Sequence, residues 1–141
     1  MNHRLGLHSA ILIKDNHLVV GREAGEVGYT PAQAIAKARA FLAEQGLPAE
    51  TMLEIEVDSL AQLAQVLPEQ PDIVLVDNFS LDLLREAVAM RDRLAPQVEL
   101  EASGGVRLDT VASIAETGVD RISAGALTHS AVQLDFGLDF V

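Results

Sequence analysis

The 141-residue sequence has no cysteine and no tryptophan, and only 4% of its residues are aromatic. Without cysteine the chain can form no disulfide, no thiolate metal site and no thiol nucleophile, which fits a reducing cytoplasm. Long hydrophobic runs are also missing: none approaches the ~20 apolar residues of a membrane-spanning helix, and the N-terminus does not resemble a signal peptide. We therefore expect a cytoplasmic protein that does not enter a membrane.

Positive charge is scarce. Ten Lys and Arg residues stand against 21 Asp and Glu residues, so the formal net charge is −11. This balance disfavours nucleic acid and anionic membrane surfaces as partners, although it permits a local cationic site. The apolar fraction is 49%, and a chain of 141 residues has room for one packed core. We expect one domain over residues 1–141, with a core of Leu, Val, Ile and Ala.

Short Val, Ile and Leu runs alternate with segments of helical period. The predicted strands are residues 10–13, 52–57, 73–76, 98–102 and 119–123. The predicted helices are residues 31–45, with Thr30 and Gln33 as a capping box and Gly46 as the stop, then 59–67, 80–94 and 108–116.

The spacing of the later strands, roughly 21 to 25 residues from one start to the next, leaves room for one crossover helix each. Such βα repeats predict a parallel sheet in an α/β fold. Two architectures fit: a doubly wound open sheet, or part of a (β/α) barrel. A complete TIM-like barrel needs about 250 residues, so with about five strands this one would be partial and open.

Polar residues and glycines follow the predicted strands. Lys14, Glu56, Asp77, Ser103 and Gly125 lie at or just beyond the ends of five successive strands. In parallel α/β proteins these carboxyl ends meet at one edge, where ligands bind. One cation, two carboxylates and two glycine-bearing loops suit an anionic ligand, phosphorylated and bound with a metal ion.

Each of these features also has a structural explanation. Glu54 and Glu56 alternate with apolar residues, as in a half-exposed strand. Lys14 could be a solvated residue at a strand end, and Asp77 could belong to a turn before an N-cap. Gly104 and Gly105 could serve an ordinary turn, and Gly125 could be only a close-packing residue. Four histidines without close i, i+4 pairing give no zinc signature. Arg85 and Arg91 with Glu86 are typical of an exposed helix face.

Five segments occur in an order that resembles one enzyme family: HRLGLHSAILIKDNH, EIEVDSLAQL, DIVLVDNFSLDLLREAV, ELEASGGVRLDTVASIAETGVDRISAGALTHS and LDFGLDF. They are similar to the quinolinate phosphoribosyltransferases, from His3 to the C-terminus. The resemblance implies a partial, open α/β barrel of about five strands. It also implies transfer of a phosphoribosyl group from phosphoribosyl pyrophosphate to quinolinate, which yields nicotinate mononucleotide, carbon dioxide and pyrophosphate in NAD biosynthesis.

The resemblance implies roles for matched positions. His3, Arg4 and Lys14 resemble the cationic site for the two carboxylates of quinolinate, and Arg provides a planar bidentate grip that Lys cannot. Glu56 and Asp77 resemble the residues that hold the ribose and the magnesium pyrophosphate, with Mg²⁺ as the cofactor.

The remaining matched positions, Ser103, Gly104 and Gly125, resemble the cradle of the 5-phosphate. Lys14, Glu56 and Asp77 are thus the expected catalytic residues, although the reaction needs no protein nucleophile.

The same resemblance implies a shortened chain. In the family an N-terminal sandwich domain and the first barrel strand precede the position of Met1, and the active site is completed across a homodimer. We therefore expect a homo-oligomer. Two alternatives stay open: a related pyrophosphorylase-like protein with another acceptor, and a non-catalytic oligomerising fragment that binds phosphorylated ligands.

The assignment of Arg4 leads to a first prediction. Replacement of Arg4 by Ala should weaken the binding of quinolinate much more than that of phosphoribosyl pyrophosphate, because only quinolinate would use the guanidinium. Calorimetric titration with each ligand measures the two losses. Equal losses for both ligands would contradict the assigned role.

Overall fold

Five parallel strands form one sheet. The structure, a computed structural model, describes residues 10–18, 28–48 and 51–129. In this part of the chain the strands are β1 Ala10–Ile13, β2 Met52–Val57, β3 Ile73–Asp77, β4 Glu99–Ser103 and β5 Arg121–Ile122. Their order in the sheet is their order in the sequence, and every neighbouring pair is parallel. The predicted parallel sheet is confirmed.

Three of the helices in the described segments begin at capping residues that the sequence indicates. The helices are α1 Pro31–Glu44, α2 Leu60–Val66 with a 3₁₀ turn at Leu67–Glu69, α3 Leu81–Leu94, α4 Val111–Ala115 and α5 Ala126–His129, and residues 15–18 form a further helical turn after β1. Thr30 and Gln33 form the expected capping box, and Ser59 and Ser80 cap α2 and α3. No helix in the described ranges is long and apolar enough to cross a membrane.

The structure departs from the predicted boundaries near the C-terminal end of the described chain. Strand β5 has two residues instead of five, and α4 begins at Val111 instead of residue 108. Leu108 is 95% exposed, so no packing stabilises a helical turn there. The Thr110 hydroxyl instead accepts a hydrogen bond from the Arg107 N–H, which closes a turn before α4.

All the helices that contribute to the core pack on one face of the sheet. Alternate strand residues such as Ile55, Val76 and Leu100 join one buried cluster with helix residues such as Ile35 and Leu84. A doubly wound sheet would carry helices on both faces. Sequential strand order with helices on a single face is the arrangement of a (β/α) barrel, so the structure is a partial, open barrel.

Two aspartates fix the register at the amino ends of the strands. Asp72, just before β3, accepts a hydrogen bond from Leu53 N–H at 2.7 Å and donates its own N–H to Leu53 O at 2.9 Å. Asp120, just before β5, makes the same two bonds to Leu100, at 2.8 and 3.0 Å. Because a shift by one residue would break both bonds, each pair holds its strand in a single register.

One prediction about charged residues on α3 is wrong. Arg85 and Glu86 are exposed, but Arg91 is only 7% exposed. Its guanidinium donates to Asp92, to the Val98 carbonyl at 2.9 Å and to Asp120. Burial alone would lower the pKa of Arg91, but the hydrogen bonds to Asp120 and Asp92 raise the pKa above its ordinary value. Arg91 therefore ties α3 to the start of β5.

We predict that replacing Arg91 with Met lowers the free energy of unfolding by about 2 kcal/mol, because the Val98 carbonyl and the Asp120 carboxylate lose a shared donor. Urea denaturation measures the change. Arg85→Met is the matched control: Arg85 pairs with Asp82 at 2.8 Å on the exposed side of the same helix. That pair should contribute less than about 0.5 kcal/mol. Equal effects of the two variants would contradict the tie between α3 and β5.

Candidate functional site

The parallel strands bring the predicted site residues to one edge of the sheet. We call this the carboxyl edge: Lys14 follows β1, Glu56 is the second-to-last residue of β2, Asp77 and Ser103 end β3 and β4, and Gly125 lies shortly after β5. Asp77 and Ser103 are register partners. The prediction that Lys14 and Asp77 lie on the same edge is therefore confirmed.

The inner face of the sheet, opposite the helices, carries carboxylates on β2 and β4, whereas β3 contributes Ile73 and Leu75 before Asp77. In β2, Ile55 and Val57 belong to the core cluster, so the alternating Glu54 and Glu56 lie on the inner face. Strand β4 repeats this pattern with Glu99 and Glu101, of which Glu101 is only 3% exposed. The half-exposed interpretation is therefore wrong for Glu54, which is 1% exposed and lies between Leu12 and Ile73 of the two neighbouring strands.

Lys14 and Glu56 meet at the first part of the carboxyl edge. The Lys14 ammonium lies 3.4 Å from a carboxylate oxygen of Glu56, and about half of the Lys14 side chain is exposed. A local turn fixes the backbone of Lys14: its N–H donates to His17 Nδ1 at 2.9 Å, and His17 N–H donates to Lys14 O at 3.0 Å. A cation and a carboxylate are therefore presented together to solvent at this corner.

Asp77 and the glycine loop form the centre of the edge. Asn78, at φ 56°, donates its side-chain N–H to Asp77 at 2.6 Å and its backbone N–H to Ser103 O at 2.9 Å. Gly104 has φ +88°, and a Cβ there would lie 2.2 Å from Asn78 Oδ1. Only glycine allows this close approach, so the packing of the two loops is by itself enough to require Gly104.

A cavity of about 630 Å³ occupies the last part of the edge. It is lined by Ser103, Gly104, Gly105, Val106, Arg107, Ser123, Gly125 and Ala126. The volume suits a sugar phosphate, and consecutive glycine N–H groups are suited to an anion. The three residues expected to cradle a phosphate, Ser103, Gly104 and Gly125, all line this cavity.

Three residues of this region, Glu101, Ser123 and Arg107, were not predicted from the sequence. Glu101 accepts a hydrogen bond from the Ser123 hydroxyl on the inner face. Arg107 lines the cavity. The alternation of Glu99 and Glu101 with apolar residues, the same pattern as in β2, was a signal that could have found Glu101. Ser123 and Arg107 had no such signal, because both lie outside the regular elements.

Only one of the three residues expected to bind quinolinate lies in the described part of the chain. Lys14 lies at the β1 corner, whereas His3 and Arg4 fall outside the described residues. Within the described ranges no group of three or more His, Cys, Asp or Glu side chains could hold a metal ion by itself. Glu56 and Asp77, the two residues expected to bind Mg²⁺, each provide a carboxylate, which is the kind of hard oxygen donor that this ion takes together with substrate phosphates.

The chain is similar to proteins of known activity. A family model described as the C-terminal domain of quinolinate phosphoribosyl transferase matches residues 1–139. The nicotinate-nucleotide pyrophosphorylase (carboxylating) of Mycobacterium leprae is 47% identical over 139 residues, which are 99% of this chain and 44% of the relative. The enzyme of that name from Rattus norvegicus is 37% identical over 136 residues, 96% of this chain and 42% of the relative.

Solved structures are also similar to this chain. The nicotinate-nucleotide pyrophosphorylase from Francisella tularensis superposes with a TM-score of 0.71 at 38% identity, covering 90% of this chain and 40% of that one. NadC from Streptococcus pyogenes gives a TM-score of 0.72 at 35% identity, and the superposition covers 99% of this chain and 44% of that chain. The chain therefore spans less than half the length of the relatives it matches.

We predict that Gly104→Ala lowers the free energy of unfolding by about 2 kcal/mol or more, because the new methyl group meets Asn78 at a positive φ. Gly105→Ala is the matched control in the same loop: its φ is +60°, but nothing lies within 4 Å of an added Cβ. That change should cost about 1 kcal/mol. Thermal unfolding of both variants tests the difference, and equal losses would show that the contact with Asn78 contributes nothing.

Proposed function

The chain belongs to the quinolinate phosphoribosyl transferase family, whose C-terminal domain model spans almost all of it, and we propose that its carboxyl edge binds phosphoribosyl pyrophosphate and quinolinate for phosphoribosyl transfer with decarboxylation. The observation that carries the proposal is the arrangement along this edge. A cation lies beside β1, carboxylates lie on β2 and β3, and a glycine-lined cavity lies beside β4 and β5.

This arrangement matches the charges of the two substrates in order. Quinolinate carries two carboxylates and suits the Lys14 corner, and we propose from the family resemblance that His3 and Arg4 are further ligands of those carboxylates. The 5-phosphate suits the glycine-lined cavity at the other end. Adjacent strands are about 5 Å apart, so Asp77 on the central strand lies between the two anion sites, where the ribose would sit.

The chemistry needs electrostatic stabilisation and no protein nucleophile. The pyridine nitrogen attacks the ribosyl carbon while the bond to pyrophosphate breaks, and positive charge develops on the ribose. Carboxylates of Glu56 and Asp77 are suited to stabilise that charge. We propose that both also hold Mg²⁺, which when bound neutralises the departing pyrophosphate. The carboxylate next to the ring nitrogen then leaves as carbon dioxide, and its electron pair stays on the quaternised ring until a proton replaces it.

The pairing of Lys14 with Glu56 suggests how acceptor binding prepares the site. At 3.4 Å the two groups form a long, partly solvated ion pair, which costs little to separate. A carboxylate of quinolinate that binds Lys14 would release Glu56 from its cation. Glu56 could then face the positive charge on the ribose. We propose that Lys14 thereby couples acceptor binding to catalysis.

We also propose that the active form is a cytoplasmic homo-oligomer, as the family resemblance implies. Leu127 on α5 is 87% exposed and Leu108 is 95% exposed, and such large apolar side chains are suited to contacts with another subunit or domain. Light scattering of the purified chain at several concentrations tests this state. A monomer at every concentration would contradict it.

The function is tested by calorimetry with the 141-residue chain. We expect phosphoribosyl pyrophosphate to bind in the presence of Mg²⁺, and Asp77→Asn to weaken this binding by about tenfold or more, because a metal-binding carboxylate becomes a neutral amide. Lys14→Ala should weaken quinolinate binding selectively. Asp82→Asn, an exposed change on α3, is the control and should leave both affinities unchanged.

A separate assay for nicotinate mononucleotide distinguishes the alternatives. Product formed from quinolinate supports the proposed reaction. Binding of both substrates without product would favour a non-catalytic ligand-binding role, and consumption of a different acceptor would favour a related pyrophosphorylase. Unchanged binding of phosphoribosyl pyrophosphate to Asp77→Asn would contradict the proposed site itself.

A further inference from the structure

The glycine-lined cavity has one source of full positive charge among the described residues that line it. Seven of the eight lining residues are neutral, and the eighth is Arg107. The surroundings are acidic: the chain has a net charge of −11, and Ser123 on the cavity wall is hydrogen-bonded to Glu101. A phosphate dianion bound by backbone N–H groups alone would leave much of its charge uncompensated in this acidic setting.

Arg107 is already held by a neighbour. Its Nε donates to Asp109 Oδ1 at 3.0 Å, and its Nη2 donates to Asp109 Oδ2 at 2.8 Å, which is a bidentate pair. Hydrogen bonding from Arg107 holds the pKa of Asp109 below its usual value, so the carboxylate stays ionised at neutral pH. Both side chains are more than two-thirds exposed. Water therefore screens the pair, and little free energy is needed to separate it.

The backbone of Arg107 is fixed while its side chain is exposed. Its N–H donates to the Thr110 hydroxyl at 3.0 Å, and its carbonyl accepts from Thr110 N–H and Val111 N–H at 3.1 and 2.9 Å. The preceding residue, Val106, is buried in the core cluster. A change of partner by the guanidinium would thus require only rotation about side-chain bonds.

We propose that Arg107 is a phosphate-binding residue of this cavity and that Asp109 competes with the ligand for its guanidinium. The inference rests on the proposed function, because it takes the glycine-lined cavity as the 5-phosphate site. In the free protein Arg107 is bonded to Asp109. When a phosphate monoester enters, the guanidinium exchanges one carboxylate for a group of higher negative charge that accepts the same bidentate pair.

The competition predicts opposite effects for the two residues. Arg107→Met should weaken the binding of ribose 5-phosphate by about three- to tenfold, because one charge-assisted contact is lost. Asp109→Asn should strengthen binding, because the competing carboxylate becomes neutral. In the double variant Arg107→Met with Asp109→Asn, the gain from Asp109→Asn should disappear. Arg107→Lys should restore part of the affinity. Calorimetric titration with ribose 5-phosphate measures the affinity of all four variants.

Arg85 and Asp82 provide matched controls. They form another exposed Arg–Asp pair, at 2.8 Å on α3. Arg85→Met and Asp82→Asn change net charge in the same way as the test variants, so they report the effect of charge alone and should leave the affinity unchanged.

The outcomes separate this inference from the function on which it rests. Unchanged affinity in Arg107→Met, with Gly104→Ala weakening ribose 5-phosphate binding, would overturn the role of Arg107 and leave the phosphate cavity in place. Equal losses of affinity in Arg107→Met and Arg85→Met would show that the loss comes from the change in net charge alone. This result would also overturn the role of Arg107. If ribose 5-phosphate did not bind the wild-type chain at all, both the inference and the phosphate cavity would be wrong.

Discussion

The parallel register of the sheet decides which side chains pack against the helices and which line the opposite face. Two hydrogen bonds between Asp72 and Leu53, and two between Asp120 and Leu100, fix the strands at their amino ends. Because side chains alternate along each strand, this one register places Ile55 and Val76 against the helices and Glu56 and Asp77 on the opposite face. A slip by one residue would bury the carboxylates among the helices and remove the site.

Charged groups therefore have different roles at the amino ends of the strands and at the carboxyl edge. At the amino end, charged groups are satisfied within the protein, as Arg91 is by Asp120 and the Val98 carbonyl. At the carboxyl edge, charged groups are held weakly and remain accessible: Lys14 lies 3.4 Å from Glu56, and Arg107 is bonded to an exposed aspartate. Groups at the amino end stabilise the fold, and those at the carboxyl edge can exchange their partners for ligands.

Local sequence signals predicted much of this architecture. The capping box at Thr30 and the strand β1 follow from residues near in sequence, and the repeat spacing predicted the parallel direction. Contacts between distant residues were not predictable in this way. Arg91 was misassigned because its partner Asp120 is 29 residues away, and Arg107 was missed because a cavity is made by two loops. Strand β5 was predicted too long because apolar residues beside it resemble strand residues.

If the phosphorylated substrate binds at the carboxyl edge, paramagnetic relaxation should locate it there: Mn²⁺ replaces Mg²⁺, and phosphoribosyl pyrophosphate is added to the isotopically labelled chain. We expect the backbone amide signals of Asp77 and Gly104 to broaden much more strongly than those of Asp72 and Asp120, which lie about 16 Å away at the amino ends of the strands. Broadening centred on Asp72 and Asp120 would contradict binding at the carboxyl edge.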